Sequence, residues 1–212
     1  MRIEGRVGVA RYNDDAEYPP RIGSQGELII SDFNGKYYEQ TMRGNAFVYT
    51  STAAAAIAAL GNNNPTLWNP MGSGKNLVIT KVVLGAAAVG TPVMTAFQWG
   101  YQTGVGSQVG TAAPVVSLTA VAGVNLLLGA GNNSIMRYAP ATITLTTAPT
   151  FLAPIGFSLS ATVSSGWNLT QDVDGGIIVP PGTLVQIGAS TATSTTFFTA
   201  IYGLELPIPS TA

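Results

Sequence analysis

The sequence predicts an all-β protein: a β-sandwich or jelly roll preceded by an N-terminal extended arm and hairpin, with one short Ala-rich helix. Three observations predict it. From about residue 66 onward apolar residues alternate with Thr, Ser and Gly. Thus Ile155, Phe157, Leu159, Ala161 and Val163 face one way, while Gly156, Ser158, Ser160 and Thr162 face the other. That two-residue period is the mark of a half-buried strand. Turn signals separate such runs: Asn69-Pro70, Gly72-Ser73-Gly74, Gly131-Asn132-Asn133, Asp174-Gly175-Gly176 and Pro180-Pro181-Gly182. Roughly eight short strands at this spacing point to a sandwich or jelly roll.

The third observation is the distribution of charge. Of nineteen formally charged residues, thirteen lie in positions 1–43, and only Lys75, Lys81, Arg137, Asp172, Asp174 and Glu205 lie in positions 44–212. Soluble domains carry charge on roughly a quarter or more of their surface residues. A body this neutral is expected to meet protein over much of its surface, and the charged N-terminal stretch to be a separate device.

Along the chain, residues 1–24 are polar and broken by Asp14-Asp15, Pro19-Pro20 and Gly23, which reads as an arm. Residues 27–33 read as a strand. Asn34-Gly35 is a hairpin turn signal, and Lys36 to Thr41 is the expected return strand. Residues 50–60 hold the expected helix: Thr50, Ser51 or Thr52 caps it, its alanines favour it and Gly61 ends it. Further strands are expected at 76–84, 93–101, 115–128, 135–138, around Ile143 and Leu145, and at 183–189. In the last strand Phe198, Ala200, Tyr202, Leu204 and Leu206 share one face. The domain organisation is therefore 1–49 as arm and hairpin, 50–65 as helix and connector, and 66–212 as the sandwich.

Composition excludes several function classes. There is no Cys, so there is no disulfide framework or thiolate metal site. There is no His, which removes the usual general base and the commonest metal ligand, and with them Ser-His-Asp catalysis. A net charge of −1, without a basic stripe interleaved with aromatics, argues against nucleic acid. Mean hydropathy is +0.31, but apolar runs such as Val82 to Val89 fall far short of the ~18 residues a membrane helix needs.

Individual motifs fail as catalytic or metal sites. Gly72-Ser73-Gly74-Lys75-Asn76 resembles a phosphate-binding loop only in part. The required Gly is replaced by Asn69, and the Ser or Thr after Lys by Asn76. A turn entering the strand Leu77-Val78-Ile79 is expected instead. Asp14, Asp15 and Glu17 sit beside two prolines, as a solvated or partner-facing loop would place them. Asp172-Val173-Asp174 lacks the further ligands of a calcium loop. Trp68, Trp99, Tyr101 and Trp167 can stack on sugars, although packing is the commoner use of such residues. Asn132-Asn133-Ser134 and Asn168-Leu169-Thr170 match a glycosylation pattern, which means nothing without a secretory route. Catalytic residues, metal and cofactor are therefore all expected to be none.

Three stretches together resemble a known family: Gly26 to Asp32 with Gly35 to Gln40, Leu67 to Pro70 with Gly72 to Ile79, and Gly176 to Thr183. They resemble virion structural proteins of tailed bacteriophages, of the capsid decoration or cement type. The resemblance implies a β-sandwich head and a segment anchoring it to the major capsid protein, often as a trimer. The expected function is thus a non-enzymatic decoration protein on the capsid exterior that binds and stabilises the shell and packs with copies of itself, as a homotrimer. It would reside in the host cytoplasm before assembly, since Met1 to Arg6 carry no apolar signal segment. The expected shell contacts are Arg6, Arg11, Tyr12, Arg21, Tyr37, Tyr38 and Arg43. The competing expectation is a head-fibre or tail-associated jelly roll that holds host glycan through its Trp-containing loops; only under it would glycan be a partner.

Overall fold

The computed structural model describes residues 36–62, 64–88, 95–105, 121–129, 131–141, 143, 145, 147–158, 168–193 and 195–208. The chain divides into two compact units, Met1–Glu39 and Gln40–Ala212. In the first, only residues 36–39 are described. The second is a β-sandwich of two antiparallel sheets, as the alternating pattern predicts.

One sheet has the order β10 (Asn168–Val179), β4 (Lys75–Ala88), β12 (Thr196–Pro207), β1 (Ala46–Thr50) and β7 (Val124–Asn125), with β2 (Ala55–Ala56) paired to the start of β12. The other runs β6 (Val121–Ala122), β8 (Arg137–Ala139), β3 (Thr66–Asn69), β11 (Thr183–Ala189), β5 (Thr95–Gln102) and β9 (Thr150–Ser158). The core between them takes alternate residues from each: Phe47 and Tyr49, Leu77 and Ile79, Phe97 and Trp99, Val185 and Ile187, Phe197 and Ile201. Phe97 and Phe197 meet edge to face across the gap, with centroids 5.2 Å apart, the arrangement their ring quadrupoles favour.

β4 shows how one residue resets the pattern. Its inward residues are Leu77 and Ile79, then Val82 and Leu84. The phase changes at Thr80, where the register against β12 slips between Tyr202 and Gly203. A β-bulge accommodates the extra residue, so both halves of a long strand still face the core.

β11 is buried on both faces. A layer of irregular chain covers its outer side. Gln186 accepts from the Gly61 amide at 2.8 Å and donates to the Gly61 carbonyl at 2.7 Å and to Thr66 Oγ1 at 2.8 Å. Asn64 holds the same loop through the Ala58 amide and the Ala59 carbonyl. Leu60 then rests on Gly100 and Gly188. A smaller cluster of Val105, Ala139, Ile143, Leu145 and Leu184, with Trp68 against it, completes this layer.

Three expectations need correction. Residues 50–60 form no helix. They finish β1, contribute β2 and continue as the covering loop. Their backbone groups bond elsewhere in the fold: Ser51 N to Thr199 O and Ile57 N to Thr193 Oγ1. A helix of that length is marginal in water, and burial of Ile57 outweighs alanine propensity. Second, Lys36 to Thr41 is not a return strand. The one described helix, α1, spans Tyr38–Met42. Gly44, at φ +72, follows it, with its amide on Thr41 O, while the Asn45 amide caps Gln40 O. The proposed partner strand 27–33 lies outside the described residues. Third, Ile143 and Leu145 are buried but irregular, their amides bonding to Asn62 O and Asn62 Oδ1. In β12 the shared face of Phe198, Ala200 and Tyr202 is the outer one. Phe197, Thr199 and Ile201 point into the core. Glu205 and Thr199 occupy core positions, so the more apolar set of the strand is the outer one.

Candidate functional site

The most elaborate polar centre of the sandwich is built around Glu205, which has no solvent exposure. β12 carries it inward opposite Leu77 of β4. Its Oε1 accepts from the Tyr49 hydroxyl at 2.9 Å, from Ser134 Oγ and from the Ile135 amide at 3.1 Å. The Met136 amide lies at 3.4 Å from the same oxygen. Its Oε2 lies 3.5 Å from the Lys75 ammonium, whose side chain is partly exposed. Burial, and next the charge of Glu205, push the Tyr49 hydroxyl well above the ordinary phenol value. Nearby, burial likewise raises Tyr138, whose hydroxyl is hydrogen-bonded to Thr199 Oγ1.

This centre has the wrong form for catalysis. The carboxylate is saturated with donors and sealed from substrate. Its chemistry is that of a staple: one acceptor group on β12 gathers the irregular chain at Ser134–Met136 and the start of β4. Sequence reasoning did not single out Glu205. The available signal was a lone acid between Leu204 and Leu206, the only charge after Asp174.

Of the expected shell contacts, Arg6, Arg11, Tyr12 and Arg21 lie outside the described residues. Tyr37 carries the Lys36 ammonium 5.5 Å from its ring centroid, a cation–π distance. Tyr38 opens α1 and is 48% exposed, and Arg43 is exposed directly after that helix. The acidic trio Asp14, Asp15 and Glu17 is likewise outside the described residues. Asp172 is paired with Lys81 at 3.2 Å, and among the described residues no three His, Cys, Asp or Glu side chains come together to hold a metal.

The glycine-rich stretch at 72–74 is the expected turn into β4. Gly72 and Gly74 have φ near +77 and +68, and Ser73 Oγ donates to Asn69 Oδ1 at 2.6 Å. Two of the four aromatic candidates for sugar stacking are used for packing. Trp99 is fully buried with its indole N–H on Gln171 Oε1 at 3.0 Å, and Trp68 lies against the smaller cluster. Tyr101 is partly exposed, and Trp167 lies outside the described residues.

The other surface that stands out is the outer face of the β10-β4-β12-β1-β7 sheet. Phe198 is 47% exposed there, and Val124 half exposed. Val48, Val83, Ala200 and Tyr202 lie between them. No helix among the described residues is long and apolar enough to cross a membrane. No protein-family model matches the chain, and no curated protein matches it.

Proposed function

We propose that this chain is a non-enzymatic virion structural protein of the capsid decoration or cement type, binding the major-capsid shell and packing with copies of itself. One observation carries the reading: charge is concentrated in residues 1–43, while the sandwich presents an outer sheet face of Phe198, Val83, Ala200 and Val124 with little charge. Such a face is costly to leave in water and useful when protein covers it. The resemblance of the three quoted stretches to tailed-phage decoration proteins points the same way. The glycan-binding alternative is less favoured, because Trp68 and Trp99 are committed to packing.

The N-terminal segment is the anchor in this reading. Ion pairs made on a surface contribute little, about 0–1 kcal/mol each, so in this reading tyrosines and aliphatic residues supply most of the grip and many copies add avidity. The test is co-sedimentation of the full-length chain with shells of the cognate major capsid protein assembled without it. Saturable binding is expected, weakened at least tenfold when Tyr12, Tyr37 and Tyr38 are replaced by Ala together. Absence of co-sedimentation at tens of micromolar would overturn the reading.

A further inference from the structure

We propose that the outer face of the β10-β4-β12-β1-β7 sheet is the surface on which a second copy of this chain docks. The inference rests on the self-packing part of the reading above and names the surface that does it.

The register defines the face row by row. Val124, Val48, Tyr202, Lys81 and Asp172 form one row across all five strands. Thr50, Ala200, Val83 and Thr170 form the next, and Phe198, Gly85 and Asn168 the third. On the other side of the first row, beyond the bulge, Val78 and Ile178 line up beside the buried Leu204, with Ile178 57% exposed. Every one of these positions alternates with a residue committed to the core, so none of their side chains can turn inward without inverting the strand.

Three properties fit a copy of the same chain. The first is charge. Across the three rows from Phe198 to Tyr202 the face holds one cation and one anion, Lys81 and Asp172, 3.2 Å apart. Its net charge is zero, so it offers no attraction to a polyanion or a charged membrane, and two copies meet without like-charge repulsion and can exchange the pair across the interface. The second is relief. Phe198 projects beside Gly85, and a Cβ placed on Gly85 would meet nothing within 4 Å. A knob and a hollow thus stand side by side, which a copy of the same face can fill reciprocally. The third is size. The accessible positions of these rows, about 4.8 Å apart between strands and about 6.7 Å apart along them, cover roughly 450 Å² in projection, more than half of the about 800 Å² per partner that a stable interface buries.

The test uses the full-length chain without capsids. Light scattering and sedimentation velocity at micromolar concentration are run on the wild type, on Val83→Lys and Phe198→Glu, and on Phe151→Glu in β9 of the other sheet. The wild type and Phe151→Glu are expected to be oligomers of one size. Val83→Lys and Phe198→Glu are expected to fall to monomer with an unchanged circular-dichroism spectrum. Because the native chain has no Cys, Ala200→Cys carries one thiol per chain and a short bismaleimide should link it into covalent dimers, and Phe151→Cys should not be linked. If a charged variant fails to fold, the Ala200→Cys result decides. A monomeric wild type, or Ala200→Cys linking no better than Phe151→Cys, overturns the proposal. Shell binding is measured separately. Loss of shell binding with oligomers intact sinks the decoration reading alone, and monomers that still decorate sink this inference alone.

Discussion

The Tyr49 hydroxyl donates to Oε1 of Glu205 at 2.9 Å, and both side chains are enclosed between the sheets. The pair joins β1 to β12, two strands already neighbours in one sheet, but its consequence reaches the other sheet. Ser134, Ile135 and Met136, which lead into β8, donate to the same carboxylate. One acceptor therefore fixes where the connecting chain crosses.

Glu205→Ala should strand the Tyr49 and Ser134 hydroxyls and two backbone amides at once. Loss of a buried acceptor with several donors costs about 3 kcal/mol or more. Tyr49→Phe removes one donor and leaves the carboxylate otherwise satisfied, so about 1 kcal/mol is expected. Urea denaturation of both variants measures the difference. Equal and small losses would show that the carboxylate is not the organising group.

Leu60 gives a second, steric prediction. A Cβ on Gly188 would lie 2.6 Å from Leu60 Cδ2 and 3.2 Å from the Leu60 amide nitrogen. Gly188→Ala must therefore push the covering loop off β11, at about 1–3 kcal/mol. Adding Leu60→Ala should recover part of that loss, because the two residues share one contact. The melting temperatures of the single and double variants form the cycle. Strict additivity would mean the loop is held by Gln186 and Asn64 rather than by the leucine's seat.

How legible the fold was follows from these same residues. β4, β5 and β11 were readable because their inward residues are Leu, Ile, Val, Phe and Trp, and their bounds agree within a few positions. β12 was readable as a strand but not for its facing. Its core side carries Thr199 and Glu205, whose polarity is satisfied by Tyr138, Ser134 and Tyr49, partners far away in sequence. Alternation ranks faces by apolarity and is blind to such partners. The Ala-rich stretch misled for a related reason. Its local preference for helix is a few tenths of a kcal/mol per residue, less than the fold gains by burying Ile57 in the main core and seating Leu60 on Gly100 and Gly188. The neutral body was legible from charge counts alone. Which face of it carries the apolar surface was not, since that depends on the facing of β12.

Lys81 and Asp172 form the surface counterpart of the Glu205 centre. They stand 3.2 Å apart with side chains 42% and 64% exposed. In the free chain such a pair contributes little, so Lys81→Ala, Asp172→Ala and the double variant should each lie within about 1 kcal/mol of wild type. Raising the salt concentration should shrink even that. A coupling energy above 1 kcal/mol in dilute monomeric protein would mean the pair is less exposed than its geometry indicates.

High pH should reveal the two buried tyrosines. Burial raises the Tyr49 hydroxyl above its unfolded value of 10.0, with the Glu205 charge adding to the shift, and burial raises Tyr138. Each folded phenol therefore holds its proton when the unfolded chain has begun to lose it. The stabilising contribution is complete below pH 10 and falls as pH climbs through and beyond that value, because the unfolded state gains by ionising first. The Tyr49 and Tyr138 phenols should add no tyrosinate absorbance in folded protein as pH passes 10, and should add it when the chain unfolds. In parallel, the urea midpoint should drop more steeply between pH 10 and 11.5 for the wild type than for Tyr49→Phe or Tyr138→Phe. Those variants are less stable at pH 7, so it is the slope with pH, rather than the starting midpoint, that carries the test. Equal slopes in all three proteins, with every tyrosine ionising near pH 10 while the fold persists, would show that solvent reaches both hydroxyls and that the space between the sheets is open.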